Sequence, residues 1–371
     1  MIPRINLRPK LTIDLVEKRV FAGEPFSLID VGASGGIADY WKVFGDSLTA
    51  LGFEPLIAEA DRLNAAAPPN VRYEAAFVSS TDQQTEHGQK LNADRIRYRD
   101  NQPFPRTSAW RAASTQRLDY VRTYYDASGS GALSTTTVTL DDVYGRGERP
   151  YVDFIKIDTD GHDYYVLRGA QRMLRESPVL GLVVESQFHG PVHHHANLFS
   201  NIDRFLRVRG FSLFDLEVYR YSRAALPNPF VYTIPANTHQ GQVLWGDALY
   251  VRDAGDPEYA QKWEITLSAV QLCKLLCIFE IFSLEDCAAE ALVTHRDRLR
   301  NTIDVERCLD LLSPLHQGER LTFSQYDQRF EKHMEEWFPA SPPQSPPPVQ
   351  EPAPAHAKPR NSWFRKWLST R

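Results

Sequence analysis

Residues 153–170 read Asp-Phe-Ile-Lys-Ile-Asp-Thr-Asp-Gly-His-Asp-Tyr-Tyr-Val-Leu-Arg-Gly-Ala, an apolar run that stops at Asp158 with Asp160 and Asp163 close behind. A buried strand ending this way delivers carboxylates to a cleft at its carboxyl end. Residues 28–36, Leu-Ile-Asp-Val-Gly-Ala-Ser-Gly-Gly, repeat the logic with Asp30 followed by glycines, and Gly52-Phe53-Glu54-Pro55 supplies a third strand ending in an acid. Glycine after a strand lets the backbone turn tightly and approach a ligand. The spacing here, with Gly32 and Gly36 bracketing the turn, is neither Gly-x-Gly-x-x-Gly nor a phosphate-cradling Gly-Lys-Ser/Thr loop. A diphosphate ligand is therefore disfavoured, and NAD-dependent oxidoreduction with it.

Asp30 is placed to accept from an ammonium or from loop amides, and a helix predicted after Gly36 would turn free N–H groups towards a carboxylate. An amino-acid-like zwitterion suits that pair. Glu54 follows Asp30 by 24 residues, near the roughly 20-residue offset at which an acid meets ribose hydroxyls in nucleotide folds. Pro55 ends the strand and a helix is predicted over 56–63.

Strand patterns at 27–31, 48–54, 71–78, 152–158 and 179–185 alternate with helical or loop material, which predicts an α/β fold with a parallel doubly wound sheet. Segments at 211–216 and 243–251 would complete it as an antiparallel edge. The 371 residues, 42% of them hydrophobic, suffice for one catalytic domain with an appendage. A net charge of −5 gives no basic footprint, so no nucleic-acid partner is expected.

Through Ile29-Asp30-Val31-Gly32-Ala33, Gly36, Phe53-Glu54-Pro55, Thr139-Leu140-Asp141-Asp142, Phe154-Ile155-Lys156-Ile157-Asp158-x-Asp160-Gly161-His162-Asp163 and Val166-Leu167-x-Gly169-Ala170, the chain resembles the FkbM family of methyltransferases. The resemblance spans roughly residues 26–252. It implies a Rossmann-like class I methyltransferase fold and S-adenosylmethionine as cofactor. Carried over residue by residue, it implies that Asp30, Gly32, Ser34 and Gly36 line the methionine end, that Glu54 takes the ribose and that Asp158 borders the cofactor. Asp160 and Asp163 stand where the family commonly has Glu, which keeps the charge and shortens the reach by one methylene.

S-adenosylmethionine carries its own leaving group, so the protein's tasks are alignment of an acceptor and removal of a hydroxyl proton. The candidate catalytic groups stand where two strands end: Asp158, Asp160 and His162 on one side, Glu185 and His189 on the other. An imidazole is better matched than a carboxylate to proton removal at neutral pH, which makes His189 the first choice of base. His162, after Gly161, also reads as a helix cap, and Asp163 as an acid favoured by a helix dipole. His193-His194-His195 invites a metal, but adjacent histidines on one loop cannot all face one ion, and no metal is expected.

Residues 1–256 are read as the methyltransferase domain, with 79–138 inserted as a substrate lid. Trp110, Tyr120, Tyr124 and Tyr125 in the lid could stack on rings, Arg106, Arg111 and Arg117 could hold an anion, and Gly129-Ser130-Gly131 could be a hinge. Residues 257–338 read as a helical appendage, with Leu267, Val270, Leu272, Leu275, Leu276, Phe279 and Phe282 spaced by threes and fours. Cys273, Cys277, Cys287 and Cys308 are expected to be free thiols. The Pro-rich stretch 339–360 is expected to be a disordered linker, and residues 361–371, carrying Trp363, Phe364, Trp367 and Leu368 with Arg365 and Lys366, an amphipathic peptide for weak membrane-surface or protein docking. The beginning of the chain lacks a secretory pattern and long apolar segments are interrupted, so a cytoplasmic protein, in part peripheral at the inner face of the membrane, is expected. The expected activity is O-methylation of a sugar hydroxyl in a glycan or glycolipid precursor; the alternative is an inactive Rossmann-like scaffold docking through its helical region and tail.

Overall fold

A computed structural model describes residues 5–81, 132–147, 151–159, 161–189, 192, 194–221 and 237–338. Asp160, His193, nearly all of the predicted lid, the Pro-rich stretch and the C-terminal peptide lie outside the described residues. Residues 1–323 form one compact unit and 324–371 a second. In the second, Trp337 Nε1 donates to Tyr326 Oη at 2.8 Å, tying the 3₁₀ turn Met334–Trp337 to the helix Phe323–Lys332.

The first unit is built on seven strands: β1 (Phe26–Val31), β2 (Leu48–Phe53), β3 (Val71–Glu74), β4 (Phe154–Ile157), β5 (Gly181–Gln187), β6 (Ser212–Tyr221) and β7 (Gln242–Val251). Their spatial order is β3-β2-β1-β4-β5-β7-β6. β1 to β5 pair in parallel, whereas β7 runs antiparallel to both β5 and β6. This is the doubly wound sheet with an antiparallel edge that the alternating pattern predicts. β1 is buried along its whole length, and β5 likewise, as expected of central strands covered on both faces.

The predicted strand 71–78 is divided. β3 stops at Glu74, and Phe77–Val78 leaves the main sheet to pair in parallel with Thr137–Val138. The helix predicted over 56–63 forms over Ile57–Ala66. The first helix of the unit, α1 (Lys10–Glu17), starts after Pro9 with no side-chain cap of its own. Its open first turn is satisfied from far away: Glu280 accepts from the Leu11 and Thr12 N–H groups at 2.8 and 2.7 Å and from Thr12 Oγ1 at 2.8 Å.

One face of the sheet carries Leu28, Phe154, Val183 and Leu249 and is covered by α1 together with helices from the C-terminal third. Among those, the helix Ala269–Ile281 is buried almost all round, which is why its apolar residues spread beyond a single stripe. Cys273, Cys277 and Cys308 are free and buried there, and Cys287 is free and half-buried. The other face carries Ile29, Ile155, Ile157 and Val184 against the helices Leu140–Gly145, Asp163–Arg168, Gln171–Glu176 and Phe199–Arg207. No helix among the described residues is long and apolar enough to cross a membrane.

Candidate active site

The sheet order turns outward in both directions from β1 and β4, so a crevice opens where their carboxyl ends diverge. A cavity of about 240 Å³ occupies it, walled by Gly32, Ser34, Glu54, Asp158 and His162, with Phe53 and Phe77 among the apolar contacts.

Two strand ends are pressed together at Gly32. Its φ is +82°, and a Cβ there would stand 1.9 Å from the Asp158 carbonyl oxygen, so no other residue fits without moving the loop after β4. The Gly32 and Ala33 N–H groups both donate to Phe53 O at 3.0 Å, tying the loop to the end of β2. The helix predicted directly after Gly36 does not form. Gly35 and Gly36 both take positive φ, the Gly36 N–H turns back to Ala33 O at 2.9 Å, and a 3₁₀ segment begins only at Asp39. The amides intended for a ligand are engaged within the protein: Gly35 N–H by Glu59 Oε1 at 3.1 Å and Ile37 N–H by Tyr73 Oη at 3.0 Å.

Asp30, only 5% exposed, faces an ammonium supplied by the chain itself. Lys156, its register partner on β4, lies 3.2 Å from Asp30 Oδ1 and 3.4 Å from Asp158 Oδ2, and donates to Gly32 O at 2.9 Å. Burial opposes the lysine's charge, but Asp30 and Asp158 together hold its pKa above the ordinary range. Lys156 thus joins the loops after β1 and β4. Its signal in the sequence is a lone cation inside an apolar strand, two residues before an acid.

Glu54 is buried, and its Oε1 accepts from Leu56 N–H at 2.8 Å, which fixes the carboxyl group at the cavity wall. His162 is the residue before the helix Asp163–Arg168 but makes no side-chain cap; its Nε2 pairs instead with Ser79 Oγ at 2.9 Å, and its ring stacks on Tyr165. Asp163 does begin that helix, and it also organises the preceding loop. It accepts from Thr159 N–H, Thr159 Oγ1 and Gly161 N–H, and from Asn197 Nδ2 at 2.9 Å. Burial and the nearby Asp158 charge push its carboxyl up to about 6.

Gly36, Glu185 and His189 are not among the residues walling the cavity. Glu185 is 8% exposed on β5, one strand over from Asp158. His189 lies two residues past the end of β5, half-buried, and burial holds its pKa below the usual imidazole value. Across the β5–β7 register Glu185 faces Asp247, which faces Glu217 on β6. Burial, reinforced by the Asp158 charge, pushes the Asp247 carboxyl up to about 7. Asp247 has no counterpart in the sequence reading, because an acid in the middle of an edge-strand pattern looks like a solvent-facing position. Among the described residues no group of three His, Cys, Asp or Glu side chains is placed to hold a metal ion.

Among solved structures the chain is similar to magnesium protoporphyrin IX methyltransferase (ChlM) from Synechocystis PCC 6803 with bound SAM, at 9% identity and a TM-score of 0.28, over 66% of this chain and 79% of that one. It is also similar to a SAM dependent methyltransferase from Aquifex aeolicus, at 11% identity and a TM-score of 0.28, over 66% and 92%. No curated protein matches the chain by sequence. Residues 30–213 match the model of the methyltransferase FkbM domain, a span that runs from the Asp30 strand end through both loops that wall the cavity. Through those residues the chain belongs to the FkbM methyltransferase family.

Proposed function

We propose that this chain is an S-adenosylmethionine-dependent O-methyltransferase acting on a sugar hydroxyl of a glycan or glycolipid precursor. The observation that carries the reading is the cavity at the divergence of β1 and β4, with the Gly32 turn on one side and the fixed Glu54 carboxyl group on the other. The residues fit the cofactor by type. Glu54 would accept from the ribose hydroxyls, the backbone around Gly32 and Ser34 would meet the methionine end, with Gly36 shaping that loop from outside the cavity wall, and Phe53 and Phe77 offer apolar contact to the adenine. Asp30 acts through Lys156, which it holds charged between the two loops.

When bound, the cofactor supplies an activated methyl group; the protein aligns the acceptor and takes its proton. His189 is assigned as the base, since its lowered pKa leaves the imidazole neutral and able to accept at neutral pH. Glu185 and Asp158 are assigned to acceptor orientation, and His162, held by Ser79, to shaping the cavity wall. Catalysis is assigned to residues 1–256, with 257–338 as the helical appendage.

Calorimetric titration of S-adenosylmethionine, S-adenosylhomocysteine and NAD into the full chain and into Glu54→Ala tests the cofactor assignment. Binding of the first two, lost in the variant, supports it, and preference for NAD overturns it. Cofactor binding without methyl transfer to any acceptor would return the scaffold reading.

A further inference from the structure

We propose that the carboxyl ends of β5 and β6, with the amino-terminal part of β7 between them, form the acceptor subsite, a platform that seats one pyranose ring on the stacked Trp245–Tyr219 pair and holds its hydroxyls with Glu185, Asp247 and Gln187. This rests on the methyltransferase reading above and specifies where its acceptor lies.

The register places these residues. Glu185 and Gln187 are two apart on β5 and share a face; opposite them on β7 stand Asp247 and Trp245, and opposite those on β6 stand Glu217 and Tyr219. The rows lie on the same face as Lys156, and they begin at Glu185, one strand over from Asp158, which walls the cavity. The Tyr219 and Trp245 rings are parallel, 13° apart in plane with centroids 3.8 Å apart, and Tyr219 Oη donates to Asp247 Oδ2 at 3.4 Å. Tyr219 is buried and Trp245 half-buried, so the indole presents part of a rigid apolar surface whose position the tyrosine fixes.

Gln187 supplies the independent sign of a ligand. It is 4% exposed, and among the described residues its Nε2 has no hydrogen-bond partner. A buried donor is normally satisfied, and an oxygen-bearing ligand would satisfy this one. The combination selects the chemistry. Carboxylates accept from hydroxyls, an amide donates to them, and an aromatic face packs against the C–H face of a sugar ring. A cation would gain nothing from the amide donor, and a purely apolar acceptor would leave the acids desolvated.

The test is saturation-transfer NMR on the full chain with S-adenosylhomocysteine present, using a mixture of methyl pyranosides of glucose, mannose, galactose, rhamnose and fucose as probes. Transfer to ring protons of at least one pyranoside is expected. It should fall at least about fivefold in Trp245→Leu and in Gln187→Leu, while the thermal shift produced by S-adenosylhomocysteine stays as in the parent chain. Transfer undiminished in both variants overturns the platform and leaves the sugar acceptor standing. Absence of transfer in the parent, with the thermal shift present, overturns the sugar acceptor as well. Absence of the thermal shift in the parent overturns the methyltransferase reading itself. A variant that fails to fold is recognised by loss of its melting transition, and the other then decides.

Discussion

At each end of the sheet a lysine is set between two acids, Lys156 from the strand Phe154–Ile157 at one and Lys274 from the helix Ala269–Ile281 at the other, and the two arrangements differ in how tightly they close. At the amino end Lys274 is wholly buried, 2.9 Å from Asp153 Oδ2 and 2.9 Å from Glu24 Oε1, and Asp153 also accepts from Ser27 N–H at 2.7 Å. At the carboxyl end Lys156 lies 3.2 and 3.4 Å from its acids, and Asp158 is half exposed to the cavity. Both tie β1 to β4, one through Ser27 and the other through Gly32. The sealed pair fastens the C-terminal helical layer to the sheet, whereas the open one leaves a carboxylate facing a space that a ligand can enter. Similar ion pairs therefore serve attachment at one end and recognition at the other, and solvent access separates the two roles.

The sharpest way to break that contrast is Lys274→Met. Removing one partner of a buried pair strands the other's charge, so a loss of roughly 3–5 kcal/mol is expected in denaturant unfolding of the full chain. A loss below about 1 kcal/mol would show that the sealed pair fastens nothing. Lys156→Met strands buried Asp30 as well, while Asp158 can turn to water, so its distinguishing mark is binding: it should weaken S-adenosylhomocysteine binding about tenfold or more, a change of about 1.4 kcal/mol. Equal stability losses with unchanged binding would erase the difference between the ends.

Glu54→Gln sharpens the recognition side. It keeps the shape and removes the charge, and a loss of about tenfold in cofactor affinity is expected by calorimetry, in line with a charged hydrogen bond worth roughly 1.5–3 kcal/mol. Asp247 gives a pH signature. Its folded pKa is raised from 3.8 to about 7, so the folded state holds a proton that the unfolded state has released. Its stabilising contribution is complete below the unfolded value and is lost as pH rises through about 7. Asp247→Asn should therefore flatten the decline of stability between those values; an unchanged slope would mean that the carboxyl group titrates normally. The smallest effect is expected far from either lysine. Thr139 caps the helix Leu140–Gly145 through a reciprocal bond with Asp142, and Thr139→Ala should cost about 1 kcal/mol with cofactor affinity intact.

Legibility followed the range of the interaction. β1, β2, β4 and β5 stand out because burial on both faces makes continuous apolar runs, and Asp30, Glu54 and Asp158 are visible as acids ending them. Gly32 is legible as a turn, but the collision that demands it comes from Asp158, more than a hundred residues away. Lys156 and Asp247 escaped because their roles exist only through cross-strand register, which periodicity within one strand does not encode. The helix expected after Gly36 failed for a related reason: Tyr73 and Glu59 take the amides that would have opened it.

The cap on α1 has a consequence for biosynthesis. Its N–H donors are satisfied by a carboxylate 269 residues downstream. At about 5–20 residues per second, a ribosome takes on the order of tens of seconds to supply it. The first helix therefore emerges early and docks late, and a nascent chain interrupted before residue 280 displays an uncapped helix beside an uncovered apolar sheet face. Such a fragment would expose the kind of apolar surface that makes incomplete chains prone to aggregate, until the two distant segments dock.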